Sequence, residues 1–127
     1  MSASGKWIMP IAIGIMVAAG ANASYAAGDA KVGKTVFKKC AGCHVYGTKG
    51  KRIGGDLKGI IGKSAGKRPG VKYSDAMKNS GVVWSEGKLK AFLAKPKSVV
   101  PGTSMKFGGV KSKKDLENLV AYLKNGA

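Results

Sequence analysis

The clearest period in the chain lies near its end, where Leu116, Leu119, Val120 and Leu123 stand at i, i+3, i+4 and i+7. That spacing puts four apolar side chains on one face of a helix. Ser112 precedes the run with Asp115 three residues on, a short-acid form of the capping box, and Gly126 closes it. The pattern predicts a helix from Ser112 to Gly126. A second apolar set, Leu89, Phe92 and Leu93, follows Ser85 and predicts a helix over Glu86–Lys95, stopped by Pro96. An earlier one runs from the N-cap Asp29 to Cys40, with Val32, Val36 and Phe37 on its buried side and a basic outer face. A shorter turn is expected over Ser74–Asn79. No stretch alternates with the period of a strand, so the fold class is all-α, with three main helices.

The opening residues follow a different pattern. Lys6 precedes an apolar run from Trp7 to Ala21, and small residues come next. That order predicts a secretory signal peptide over residues 1–26. Cleavage after Ala26 is favoured, and Ala23 is the alternative. An uncleaved membrane anchor competes with this reading, but its run is short against the roughly 20 residues a spanning helix needs, and it contains Pro10. Cleavage leaves residues 27–127 as one domain, not membrane-spanning, in the periplasm of a bacterium.

Charge then narrows the partners. The chain carries 23 basic and 6 acidic side chains, a net charge of +17, and cleavage removes only Lys6. So large an excess implies an acidic partner. An exported protein rarely meets nucleic acid, which leaves an anionic membrane surface or an acidic protein face.

Both cysteines and the only histidine fall within five residues, Cys40-Ala-Gly-Cys43-His44. An oxidising compartment allows a disulfide, but a bridge across two residues closes too small a loop to stabilise much. Thiol exchange would call for a βαβ pattern that the chain lacks. Zinc would call for further Cys or His ligands, and there are none. C-x-x-C-H is the attachment motif of c-type haem. Its two thiols add across the vinyl groups on one porphyrin edge, and the histidine that follows binds the iron from below. The reading is one covalently attached haem c held by Cys40, Cys43 and His44.

A flat cofactor also accounts for the glycines. Eight of them lie between Gly47 and Gly70, where alone they would suggest a flexible segment. Backbone wrapped closely on a porphyrin needs residues without Cβ, and the ring supplies apolar surface that a chain of this length lacks. After cleavage two methionines remain for the other side of the iron. Met77 lies in a short helical stretch and reads equally well as core filler. Met105 lies in a loop broken by Pro101 and Gly102 and is the favoured ligand. An open or water-ligated iron is the competing arrangement and would mean catalysis. Histidine–methionine ligation fills both axial positions, favours ferrous iron and lets the charge change without a change of partners. That is the profile of a one-electron carrier rather than an enzyme.

From residue 28 to 125 the chain resembles a class I cytochrome c, of the mitochondrial and bacterial cytochrome c2 type. The resemblance rests on GKTVFKKCAGCH, IGGDLKGIIG, YSDAMKNSGVVW, FLAKPKSVVPGTSM and LVAYLKNG. It implies thioethers at Cys40 and Cys43, His44 and Met105 as axial ligands, and Gly33 and Phe37 crossing Leu119 and Tyr122. It also implies that Tyr73, Ser74 and Trp84 hydrogen-bond the haem propionates, with Thr103 near that network. Three residues depart from the pattern. Gly55 stands where proline is common, which implies a softer loop around the carbonyl that orients His44. Phe92 replaces a tyrosine and Met77 an asparagine, which implies a drier distal pocket and a reduction potential on the high side of the class.

Lys38, Lys39, Lys97, Lys106, Lys111 and Lys113 are expected around the exposed haem edge, steering the protein onto acidic docking faces. Phe107 is expected to cap the haem nearby. By resemblance the partners are a bc1-type donor complex and, as acceptor, a terminal oxidase or photosynthetic reaction centre, met by a monomer. A peroxidase-like enzyme and a cationic membrane binder are the competing classes. The first lacks acid–base groups, and the second leaves CAGCH unexplained.

Overall fold

Asp29 accepts from the backbone N–H of Lys31 and Val32 and so starts helix α1, Ala30–Phe37. These observations come from a computed structural model, which describes residues 28–48 and 52–127 together with Gly5 and Gly14. The expected signal peptide otherwise lies outside the described residues. Helix α1 packs chiefly on α5, Lys113–Asn125, which Ser112 caps through Asp115 N–H and Gly126 terminates at φ 72°. The crossing is close because Gly33 has no Cβ. A methyl there would overlap the Asn118 carbonyl and lie 2.8 Å from Tyr122 Cβ. Around this point Phe37 and Tyr122 pack with ring centroids 5.4 Å apart, and Leu119 and Leu123 are almost completely buried. The expected crossing is therefore present.

Val32 is a correction. It was expected on the buried side of α1, yet it is 43% exposed and Gly33 takes the inward position. The buried stripe of α1 runs through Gly33, Val36 and Phe37, and the pattern of apolar side chains alone hid the glycine.

Ser74 caps α2, Asp75–Lys78, and Ser85 caps α3, Glu86–Ala94, which buries Leu89, Phe92 and Leu93. Pro96 ends α3 as expected and also opens a short helix, α4, Pro96–Val99, since its fixed φ suits a first helical position. The fold has a little extended structure that periodicity did not show. Strands β1, His44–Val45, and β2, Gly55–Asp56, pair in parallel, and Ser64 bridges Val83. Two-residue strands are too short to carry a period. No helix of the described residues is long and apolar enough to cross a membrane.

Candidate functional site

After Phe37 the chain keeps turning rather than stopping. Cys40 N–H donates to Phe37 O at 2.7 Å, and the N–H groups of Cys43 and His44 both donate to Cys40 O, at 3.1 and 2.9 Å. These turns hold the two thiols and the imidazole within one coil of backbone. Both cysteines are free thiols, Cys40 buried and Cys43 exposed. Burial pushes the Cys40 thiol above its ordinary pKa, with the Lys39 charge pulling the other way.

His44 is held from two sides. Its Nδ1 lies 3.3 Å from Gly55 O, which makes Nδ1 the donor and leaves Nε2 for a metal. A Cβ on Gly54 would overlap the imidazole, so the backbone lies flat against the ring. Burial pushes the His44 pKa below its usual value, against the opposing pull of the Gly55 and Gly54 carbonyls. The ring is therefore neutral at neutral pH, the form that ligates metals.

The loop carrying Met105 lies between α4 and α5. It is fastened by Thr103 N–H to Val100 O at 3.1 Å, Met105 N–H to Thr103 Oγ1 at 3.2 Å and Val110 N–H to Leu93 O at 2.8 Å. The ends of the loop are thus tied to α3 and α4. Thr103, which the resemblance implied near the propionate network, accepts from Met105 N–H and so caps the turn that presents Met105.

These parts enclose one cavity of about 420 Å³, lined by Cys40, Cys43, His44, Tyr73, Ser74, Met77, Thr103, Met105 and Phe107, with Lys39 and Lys106 among its charged residues. Its size is within the range of small-molecule sites. A larger and more open depression of about 690 Å³ beside Tyr46 and Tyr122 includes His44 but neither thiol nor methionine. The smaller cavity is the one that matches the chemistry.

The cavity brings together five of the six residues singled out from sequence: Cys40, Cys43, His44, Met105 and Tyr73. Trp84 is not among the lining residues. It is buried, its ring 4.9 Å from that of Phe92. Ile53 and Val71 line the cavity and were missed, because an isolated aliphatic residue in a glycine-rich loop carries no pattern.

The donor set fits a covalently held haem: two unbridged thiols, an imidazole with one nitrogen engaged, and a thioether in the lining of the same cavity. The cytochrome c family matches residues 30–127. The chain belongs to the cytochrome c family. It is 48% identical over 101 residues to a cytochrome c2 of Rhodomicrobium vannielii, covering 79% of this chain and 81% of that one. It is 41% identical over 115 residues to a cytochrome c2 of Blastochloris viridis, covering 90% and 91%. Among solved structures, cytochrome cH from Methylobacterium extorquens superposes with a TM-score of 0.70 at 42% identity, over 76% of this chain and 97% of that one. As a cytochrome c, the chain carries one covalently attached haem c, has the small all-α fold of the family, and is an electron carrier rather than an enzyme.

Proposed function

We propose that the mature protein, residues 27–127, is a monomeric periplasmic shuttle whose iron is ligated by His44 and Met105. The haem supplies a one-electron change at iron. The protein's own residues do the rest. Cys40 and Cys43 tether one edge, and the Gly55 carbonyl fixes the plane of the His44 ring. The Thr103 turn aims the Met105 sulphur, while Met77 and Phe107 keep water from the distal side. Tyr73 and Ser74, which line the cavity, and the buried Trp84, which does not, are assigned to the propionates. With His44 and Met105 both holding the iron, no position would be left for another ligand, and the charge could change without a change of partners.

The observation that carries this reading is the single cavity with His44 and Met105 in its lining. Charge supports the docking role. Lys95, Lys97 and Lys106 surround a neighbouring depression beside Met105 and Phe107, and Lys39 joins Lys106 at the main cavity. A basic rim of this kind speeds encounter with acidic faces and weakens as salt rises. The partners proposed for this rim are a bc1-type complex as donor and a terminal oxidase or photosynthetic reaction centre as acceptor, each meeting it through an acidic face.

The test is an absorption spectrum of the purified holoprotein in both redox states. Ferric wild type is expected to show the sulphur-to-iron charge-transfer band, and Met105→Ala to lose it while keeping the thioether-linked haem. A band that survives in Met105→Ala refutes the assignment of the distal ligand. Electron transfer to a purified oxidase or reaction centre is expected to slow with added salt.

A further inference from the structure

Gly55 supplies the carbonyl that accepts from His44, and its backbone lies at φ 80°. Proline, common at this position in the family, is fixed near −65°, so this chain reaches the same carbonyl by a different backbone path. A left-handed glycine is the least restrained residue there is, and something else must hold the oxygen in place.

Gly54 N–H donates to Cys43 O at 2.6 Å and Gly55 N–H to Arg52 O at 3.0 Å, and two side chains tie down the segment that follows. Asp56 follows directly, and its Oδ1 accepts from Gly47 N–H at 2.8 Å and Lys58 N–H at 2.9 Å. One carboxylate thereby links the segment after His44 to the segment after Gly55. Leu57 N–H donates to Val45 O at 2.9 Å and continues the β1–β2 pairing. On the far side Arg68, from the loop before α2, donates through Nη2 to Lys58 O at 2.6 Å. Its Nε is buried without a hydrogen-bond partner among the described residues. An arginine on a loop has water within easy reach, and leaving a buried N–H unpaired is costly. Arg68 therefore commits its guanidinium to one short, charge-assisted though solvent-exposed contact to the segment after β2.

We infer that Asp56 and Arg68 are positioning residues for the axial imidazole, clamping the left-handed Gly55 so that its carbonyl stays on the His44 Nδ1–H. The inference rests on His44 being an iron ligand. A firm Nδ1–H···O=C bond gives the ring more negative character and stabilises ferric iron. The clamp thus bears on potential as well as on stability.

Charge alone and clamping make opposite predictions for Arg68→Met. Removing a cation near the haem favours the ferric state and lowers the potential. Loosening the carbonyl weakens the imidazole as a donor and raises it. Lys67→Met removes the same charge one residue away, at an exposed side chain, and isolates the first effect.

The experiment is voltammetry of the holoprotein variants, with proton NMR of the His44 ring N–H exchanging with solvent. Lys67→Met is expected to lower the potential and leave the exchange unchanged. Arg68→Met is expected to raise the potential and speed the exchange roughly five- to tenfold, the factor for one ordinary hydrogen bond lost. Asp56→Ala is expected to speed it likewise, while Asp56→Asn, which keeps an acceptor oxygen, holds the wild-type rate. A fall in potential for Arg68→Met, or exchange at the wild-type rate in both Arg68→Met and Asp56→Ala, overturns the inference. Should Arg68→Met lose its haem, the comparison of Asp56→Ala with Asp56→Asn decides it. The wild-type charge-transfer band tests the axial pair separately.

Discussion

Replacing Gly33 by alanine sets two effects of opposite sign against each other. In an unencumbered helix the exchange is favourable by about 1 kcal/mol, because glycine loses more backbone freedom on folding. At Gly33 the added methyl lies 2.8 Å from Tyr122 Cβ and overlaps the Asn118 carbonyl. Carbon atoms in contact prefer about 3.5–4.0 Å, so α1 and α5 must part by roughly 1 Å. The obstacles are backbone and the root of a buried side chain, neither of which can swing aside. Overpacking of this kind costs about 1–3 kcal/mol, and the upper end applies here because the whole helix pair must move. Subtracting the propensity gain leaves a loss of about 2 kcal/mol. For a domain of this size that lowers the melting temperature by about 8–16 °C. Gly87 in α3 is the matched control, since a Cβ there meets no atom within 4 Å. Gly87→Ala is expected to raise the melting temperature by a few degrees, up to about 8 °C. Thermal unfolding of both holoprotein variants, followed by far-UV circular dichroism, is the assay. Equal shifts of the same sign would refute the claim that the close approach of Gly33 governs the helix crossing.

Other consequences are as sharp. Phe92 is buried against Trp84 and does not itself line the cavity, so Phe92→Tyr, which restores the hydroxyl that the family resemblance implies, is expected to lower the reduction potential only if that hydroxyl reaches the cavity; protein-film voltammetry giving equal potentials removes that argument. Gly54→Ala puts a methyl into the His44 ring, so it is expected to shift the haem spectrum and cost several-fold in haem incorporation, with normal incorporation counting against the proximal cradle. Lys124 Nζ lies 2.6 Å from Glu86 Oε1 at a largely exposed site, and that hydrogen bond, ahead of the charge itself, pulls the Glu86 pKa below its ordinary 4.5. A lowered carboxylate stabilises the fold above the unfolded pKa and loses that contribution as pH falls through the folded value. Denaturant midpoints are therefore expected to separate wild type from Glu86→Gln by a few tenths of a kcal/mol at neutral pH and to converge below pH 4.5. A difference that persists in acid would assign the effect to something other than ionisation.

Much of this protein was legible before any coordinates. CAGCH is a local chemical instruction: consecutive residues share one turn wherever the chain goes, so their types and spacing suffice to name the haem. Serine and aspartate caps, the i, i+3, i+4 stripes and the stop at Pro96 depend on neighbours a few residues away, and α1, α3 and α5 begin where sequence marks them, with α2 inside the expected short turn. The apolar periodicity of α5 needed no partner to be recognised.

What sequence alone left open depends on contacts between distant segments. Val32 and Gly33 are adjacent, and the apolar pattern of α1 pointed to Val32; the glycine was marked only by the family resemblance, and the approach of Asn118 and Tyr122 makes it the buried one. Ile53 and Val71 became cavity lining through the path of a glycine-rich loop that has no period to read. Gly55 looked like a loss of stiffness beside the expected proline, and it took Asp56 and Arg68, closing on Gly47 and Lys58, to reveal another way of holding the same carbonyl. Local spacing encodes which groups can act on the iron, because covalent geometry is short-ranged. How firmly those groups are held is set by hydrogen bonds and packing across the fold, which no stretch of a few residues contains.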